Sequence, residues 1–154
     1  MPFRFKGLPV ESFQSYFAMN DTELAAHDVK RMVADAKAGF PCRITLDEAE
    51  LGERVLLLSF PHQPAHSPYK ASGPIFVRER ARDRFDGTDI PPVLRGRFLS
   101  LRAYDKAGMM VDADVVEGND VEGLLERLFT RSDVENVHIH NARRGCYSCL
   151  VERG

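Results

Sequence analysis

Residues 135–152, ENVHIHNARRGCYSCLVE, contain two short extended runs that flank the tripeptide RRG at 143–145. A short connection that ends in glycine is typical of a β-hairpin, because glycine adopts the left-handed conformation that forms a bulge beside the turn. The stretch therefore predicts an antiparallel hairpin in which Gly145 takes the left-handed conformation.

The length of this loop also predicts which residues face each other. A three-residue loop places three pairs opposite one another: Ala142 and Cys146, His140 and Ser148, and Ile139 and Cys149. Because side chains alternate between the two faces of a strand, one face would be apolar and would join the core, with Val137, Ile139, Tyr147, Cys149 and Val151. The other face would carry His138, His140, Cys146, Ser148 and Leu150. A register shift of one residue would exchange Cys146 and Cys149 between these faces.

The two cysteines of the hairpin, Cys146 and Cys149, have the spacing of a CxxC motif. Such a pair binds a metal or forms a redox couple where a tight turn or a helix start brings the thiols together. On a regular strand the two residues face opposite sides and lie about 10 Å apart, beyond the reach of a disulfide. The spacing therefore argues against a zinc site built from this hairpin alone.

His138 and His140 are two residues apart and share one face of the same strand. An HxH pair on a strand can bind a metal when a third ligand arrives from elsewhere, and Cys146, His62 and His66 are the candidates. The simpler interpretation is that both histidines lie on a polar surface. We expect no cofactor, because a chain of 154 residues can bury enough core to fold without a metal. Zinc at His138 and His140 is the alternative.

The composition is that of an ordinary globular protein, with 44% hydrophobic residues, 29% charged residues and a formal net charge of −2. The small net charge argues against nucleic acid or a membrane surface as a partner, which leaves a small molecule or another protein. No apolar run has the length of a signal peptide or a membrane span, and three cysteines are too few for a disulfide framework. We therefore expect a single domain, residues 1–154, in the reducing cytoplasm.

Apolar runs outside this hairpin predict most of the other strands. These runs are PFRF at 2–5, RVLLLSF at 54–60, IFVRE at 75–79, RFLSLRAYD at 97–105 and MMVDADVVEG at 109–118. The continuous run at 54–60 is typical of a buried central strand. The last two runs alternate and flank KAG, which indicates a second antiparallel hairpin.

Four segments have the features of short helices, and three of them carry capping signals, one of which is Asp47 at the start of the segment 46–53. The segments are LPVESFQSYF at 8–17, NDTELAAH at 20–27, LDEAELGE at 46–53 and NDVEGLLERLFT at 119–130. Asn20 followed by Glu23 predicts a capping box, and Asn119 followed by Glu122 predicts another. The sum is an α+β fold with a mostly antiparallel sheet, short helices and two hairpins in the C-terminal half.

The segment PHQPAHSPYKASGP, residues 61–74, has four prolines and predicts a loop of about 14 residues. Loops between buried strands often carry binding groups, and this one has His62, His66, Tyr69, Lys70 and Ser72 as candidate ligand contacts. A plain solvent-exposed connection is the alternative interpretation. The spacing matches neither G-x-S-x-G nor S-x-x-K, so no nucleophile motif is present.

Cys42 and Arg43 follow Pro41 in the stretch PCRITL, just before a predicted helix. A thiol at a helix start beside an arginine can be activated as a nucleophile. The alternative is that Cys42 is an inert buried side chain, as most buried cysteines are. Arg43 is a candidate contact for an anionic ligand.

Four long stretches occur in an order and spacing that resemble a known family. The stretches are FPCRITLDEAELGERVLLLSF, SPYKASGPIFVRE, LRAYDKAGMMVDADVVEG and VHIHNARRGCYSCLVERG. They resemble the uncharacterised bacterial family called domain of unknown function 1203. The resemblance implies a single bacterial domain without an assigned activity. The pattern that it marks on this chain consists of Cys42, Arg43, 72–76, 101–105, His138, Asn141, Gly145 and Cys146, whereas His140 and Cys149 are outside it.

Two kinds of function are compatible with these residues. The first is a binding module that presents the 61–74 loop and the hairpin to a small molecule or a protein, with Arg43 and Asn141 among its contacts. The second is an enzyme in which His138 acts as a base or metal ligand and Cys42 or Cys146 supplies a thiol. The enzyme hypothesis requires that Cys42 and His138 be neighbours in the fold.

Overall fold

A computed structural model describes residues 3–154 and confirms an α+β fold of mostly antiparallel strands and short helices. The strands are β1 (Phe3–Lys6), β2 (Lys30–Val33), β3 (Arg54–Gln63), β4 (Ala71–Arg78), β5 (Asp86–Gly87), β6 (Phe98–Tyr104), β7 (Met110–Glu117), β8 (Asn136–Asn141) and β9 (Tyr147–Arg153). The α-helices are α1 (Gln14–Phe17), α2 (Asp21–Ala25) and α3 (Val121–Phe129). Pro2, the first residue of the predicted strand at 2–5, lies outside the described residues.

The strands form two antiparallel sheets. The larger sheet has the order β5-β1-β9-β8-β6-β7, and the smaller sheet has the order β2-β3-β4. The C-terminal hairpin, β8 and β9, therefore occupies the centre of the larger sheet. The predicted central strand is also confirmed, because β3 lies between β2 and β4 and is buried at Val55, Leu56 and Leu58.

Each sheet covers its own apolar core. Helix α3 buries one face against the larger sheet, where Ile139 and Cys149 are also fully buried. The smaller sheet packs against the N-terminal helical segment, with Phe13 and Leu24 in the same cluster as Leu56. The sheets meet where β4 contacts β9, so residues from both sheets can share one site.

One helix prediction is confirmed at its cap and another is wrong. Asn20 and Glu23 form the predicted capping box at the start of α2. Residues 46–53 do not form a helix, because Leu46 has a φ of +54° and the Asp47 carboxylate accepts a hydrogen bond from Arg78 instead of capping. Long-range contacts of these side chains therefore override the local helical pattern.

The start of α3 also differs from its prediction. Asn119 lies in a 3₁₀ turn, Gly118–Asp120, and α3 begins at Val121 without a side-chain cap. Gly118 packs so closely on the Leu94 carbonyl that a Cβ there would lie 1.7 Å from its oxygen. No side chain fits at position 118, so this approach of the two backbones requires glycine there.

Half of the segment at 61–74 is strand, so the predicted 14-residue loop is wrong. Strand β3 continues to Gln63 through an irregularity after Phe60, and β4 begins at Ala71, so the connection is 64–70. His62 and Ser72 therefore lie on strands. Every helix in the described part of the chain is too short or too polar to cross a membrane.

Candidate metal centre

The hairpin has the predicted turn conformation but a different register next to the turn. Gly145 has a φ of +78°, and Ile139 pairs with Cys149, as predicted. Next to the turn the predicted pairs are wrong: His140 pairs with Tyr147, and the Asn141 N–H donates to the Cys146 carbonyl at 2.9 Å. Two residues of β9 therefore oppose one residue of β8, which is a bulge.

This bulge turns Tyr147 to the face that carries the histidines, so its predicted place on the core face is wrong. The Tyr147 ring meets the rings of His138 and His140 edge-on, with centroids 5.7 Å away in both cases. It stacks on His62 at 5.5 Å with an angle of 8° between the planes. Tyr147 thus forms one wall of a histidine cluster.

Three histidines from the two sheets meet at this point. His138 and His140 come from β8 in the larger sheet, and His62 comes from the end of β3 in the smaller sheet. One ring nitrogen of each residue lies within 4.8 Å of the corresponding atoms of the other two. Of the three third-ligand candidates, the structure brings His62 to the pair and leaves His66 exposed.

The cluster is buried, contrary to the expectation of a polar surface. His138 is 5% exposed and His140 is 1% exposed, while His62 is half-buried. Nδ1 of His140 lies 2.9 Å from the Gly145 carbonyl, which only accepts, so Nδ1 carries the proton and Nε2 keeps its lone pair.

Three buried nitrogens of the cluster have no hydrogen-bond partner among residues 3–154. They are Nε2 of His140 and Nδ1 of both His138 and His62. Buried polar atoms are almost always paired in folded proteins, since an unpaired one costs about 1–3 kcal/mol. These atoms therefore point to a partner that the protein itself does not provide.

The electrostatic setting keeps the rings neutral. Burial, reinforced by the charges of its histidine neighbours and Arg102, lowers the pKa of His138 to about 3. Burial also lowers the pKa of His140 to about 4, against the opposing effect of the hydrogen bond to Gly145. Burial and Arg102 lower the pKa of His62 as well. Neutral imidazole is the form that binds metal ions.

Tyrosine side chains complete the surroundings of the cluster. Tyr104 of β6 packs on His138 with ring centroids 4.7 Å apart, and Tyr69 meets Tyr104 at 6.3 Å. Burial raises the pKa of Tyr147, so its phenol stays protonated. Arg102 pairs with His138 across β6 and β8.

Tyr147, Tyr104 and Arg102 lie at the site although none of them was predicted to belong to it. The stretch LRAYD contains two of them and was singled out only by the family resemblance. No sequence signal marks Tyr147, because its position depends on the bulge.

Cys42 is not part of the histidine cluster. It is 1% exposed and belongs to the core of the smaller sheet, where its sulfur accepts backbone N–H groups from Ile44 at 3.4 Å and Arg78 at 3.3 Å. The Cys42 and His138 pair that the enzyme hypothesis required is therefore not assembled. Lys70, Ser72 and Tyr69 of the 61–74 segment are exposed.

A second group of predicted residues meets beside the same hairpin. Arg43, 2% exposed, donates from Nε to the Tyr147 carbonyl at 2.8 Å and from Nη2 to the Cys146 sulfur at 3.3 Å. The Asn141 amide also donates to this sulfur, at 3.4 Å. The structure thus joins Arg43, Asn141 and Cys146 in a group of their own.

The comparisons with known proteins identify a family but no activity. Residues 39–153 match the family described as "Protein of unknown function (DUF1203)", and this range includes all the residues of both groups. No curated protein and no solved structure matches the chain. As the family resemblance implied, the chain belongs to the DUF1203 family.

Proposed function

We propose that the protein binds a transition-metal ion of the zinc class, with His62, His138 and His140 as its ligands. The observation that carries this proposal is the convergence of three imidazole nitrogens within 4.8 Å, together with three buried ring nitrogens that have no hydrogen-bond partner among the described residues. The low pKa values of these histidines support it, because protons compete weakly for the rings at neutral pH.

The spacing of the three nitrogens is close to that of a bound set. Nitrogen ligands of tetrahedral zinc lie about 2.0–2.1 Å from the metal and hence about 3.4 Å from each other, so no two of the three nitrogens need to approach by more than about 1.4 Å. His62 is the member best able to move, since it lies at the end of β3 beside the irregularity that precedes Gln63. A small rotation of its side chain would close the site.

The ligand set favours particular metals. Neutral imidazoles without a carboxylate suit zinc, copper, nickel or cobalt better than magnesium or calcium, which prefer oxygen ligands. The hydrogen bond from His140 to the Gly145 carbonyl orients one ring, as outer hydrogen bonds do in metal sites. Three protein ligands leave a fourth position for water or a small ligand, as in catalytic zinc sites.

This site would also join the two sheets, since His62 belongs to the smaller sheet and the other two ligands to the larger one. A ligand set divided in this way supports the prediction that the chain works as one domain. It also changes the earlier hypotheses: a metal-binding module replaces the expectation of a protein without a cofactor. The three free thiols are compatible with a reducing compartment such as the cytoplasm.

The experiment is a titration of chelator-treated protein with Zn²⁺ and with Co²⁺, whose visible absorption reports tetrahedral nitrogen ligation. We expect one equivalent per chain, and we expect His62→Ala to weaken binding by at least about 100-fold. The matched control is His66→Ala, four residues away on an exposed loop position, which should bind like the wild type. Absence of binding by the wild type, or equal effects of the two substitutions, would overturn the proposal.

A further inference from the structure

A cleft of about 1100 Å³ lies between the two sheets beside the tip of the C-terminal hairpin. Its lining includes Phe76 of β4, Phe98 of β6 and the hairpin residues Arg143 and Cys146. Small-molecule sites commonly have volumes of about 300–1,000 Å³, so the cleft is large enough for a ligand of that class. No histidine lines it, so it is separate from the proposed metal site.

The cleft is positively charged although the protein has a net charge of −2. Four arginines line it, Arg43, Arg97, Arg143 and Arg144, against one carboxylate, that of Glu117. Arg97 is neutralised by Glu48. Arg143 and Arg144, in contrast, are exposed and take part in none of the ion pairs within residues 3–154.

Arg43 is the buried cation of this cleft. Its three hydrogen bonds go to the Tyr147 carbonyl, the Pro41 carbonyl and the Cys146 sulfur, and none goes to a carboxylate. A guanidinium has five N–H groups, so two remain for a ligand. A buried charge without a counter-charge is costly, and burial accordingly lowers the pKa of Arg43. An acidic ligand would supply the missing negative charge.

Aromatic side chains form the rest of the lining. Phe40 and Phe76 pack against each other with ring centroids 5.2 Å apart, and Phe98 is 47% exposed. Phe40 is buried and Phe76 is half-buried, so both contribute ring edges to the wall of the cleft. An aromatic lining next to a cationic pocket suits a molecule with a flat apolar body and an acidic head.

We propose that this cleft binds a small organic anion, a carboxylate or phosphate ester attached to a flat apolar group. Arg43 would hold the acid by charge-assisted hydrogen bonds, Arg143 and Arg144 would attract it, and Phe40 and Phe76 would pack on the apolar body. The inference does not rest on metal binding. The two sites share only the hairpin, which supplies His138 and His140 to the metal site and the Tyr147 carbonyl and Cys146 sulfur to Arg43.

Cys146 provides a readout for occupancy of the cleft. It is half-buried and lines the cleft, whereas Cys42 and Cys149 are buried elsewhere. Cys146 should therefore react with iodoacetamide before the other two thiols. A ligand held by Arg43 would shield the sulfur 3.3 Å away and slow its alkylation.

The test uses chelator-treated protein and three naphthalene probes: 1-naphthyl phosphate, 1-naphthoate and the uncharged 1-naphthol. Their fluorescence is readable because the chain has no tryptophan. We expect at least one of the two anions to bind, to slow Cys146 alkylation about five-fold, and to bind about ten-fold more tightly than naphthol. The anion that binds more tightly shows whether the site prefers a phosphate or a carboxylate.

Two double variants distinguish anion binding in the cleft from a general effect of the protein's charge. The double substitution Arg143→Ala with Arg144→Ala should weaken anion binding about ten-fold, since it removes two exposed cations from the rim. The control, Arg82→Ala with Arg84→Ala, removes the same charge from exposed positions outside the cleft and should change binding less than about two-fold. Equal effects of the two double variants, equal binding of naphthol, or no protection of Cys146 would overturn the inference, whatever the metal titration shows.

Discussion

Two groups of basic side chains lie on either side of the same hairpin, and the fold handles their burial in opposite ways. The histidines His62, His138 and His140 are kept neutral, because burial lowers their pKa values from the ordinary value of 6.5. Arg43 cannot do this and stays a cation, held by two carbonyls and a sulfur. Neutral lone pairs suit a metal ion, whereas a fixed buried cation suits an anion.

Burial alone therefore does not decide what a basic site binds. The ordinary pKa of histidine is close enough to neutrality for desolvation to remove its proton. The arginine pKa is so high that the same desolvation leaves the charge and creates a need for a counter-ion. The two groups should therefore respond in opposite ways to changes of pH and of charge.

The largest expected effect is acid destabilisation of the metal-free protein by His138 and His140. Their folded pKa values of about 3 and about 4 lie below the ordinary value of 6.5, so the unfolded chain binds more protons between these limits. The free energy of unfolding should therefore be constant above about pH 6.5 and fall by about 1.4 kcal/mol per pH unit for each histidine as pH drops toward 4. Urea unfolding followed by circular dichroism from pH 7.5 to 4.5 measures this slope.

Substitution identifies the groups responsible for the slope. His140→Gln should remove about half of it, while His66→Gln, at an exposed position, should leave it unchanged. If His140→Gln has the same slope as the wild type, this histidine is not kept neutral by the fold.

Arg43 should give the next largest effect. Arg43→Met leaves the carbonyls of Tyr147 and Pro41 without their donor, so we expect a loss of about 2–4 kcal/mol in the free energy of unfolding. The variant should also lose binding of whichever naphthalene anion the wild type binds more tightly, and it should keep its cobalt site. Arg43→Lys, which retains the charge without the fork of donors, should recover part of the anion binding. Loss of cobalt binding in both folded variants would contradict the separation of the two sites.

The sequence predicts these two groups unequally. The histidine pair follows from strand periodicity, and Arg43 and Cys146 were candidates before the structure. Their neighbours depend on how the sheets pack: His62 reaches the pair because β3 extends to Gln63, a continuation that the prolines at 61 and 64 conceal. A pattern of residues in one strand carries no information about which strand of another sheet will face it.

Local signals succeed where local interactions dominate. The capping box at Asn20 and the left-handed Gly145 depend on a few neighbouring residues, and both are confirmed. The helix at 46–53 fails because its side chains have stronger distant partners, such as Arg78 for Asp47. The predicted register at Tyr147 is wrong for a related reason. The Tyr147 carbonyl accepts a hydrogen bond from Arg43, which lies about a hundred positions earlier in the chain.

Substitution of Gly145 tests the hairpin that both groups share, and we expect a smaller effect on the free energy of unfolding. Its φ of +78° is unfavourable for any L-residue, and a Cβ there would meet no atom within 4 Å, so Gly145→Ala introduces backbone strain alone. We expect it to cost about 1–2 kcal/mol of stability. The matched control is Gly123→Ala in the exposed part of α3, which also has open space and should stabilise the protein by up to about 1 kcal/mol. Thermal unfolding of both variants gives the comparison, and effects of the same sign would contradict the left-handed turn.

The smallest expected effect concerns Arg102, the cation that acts on the histidine cluster itself. Its charge lowers the pKa of all three histidines, and the same repulsion must act on a metal ion held between them. Arg102→Gln should therefore tighten zinc binding at pH 7.5 by about two- to five-fold, and the gain should shrink at high ionic strength because salt screens a half-buried charge. Arg102→Lys keeps the charge and should bind zinc like the wild type. Weaker zinc binding by Arg102→Gln would mean that the arginine stabilises the bound metal, for example by holding an anion at the fourth coordination position. The division into a cation site and an anion site would then no longer hold.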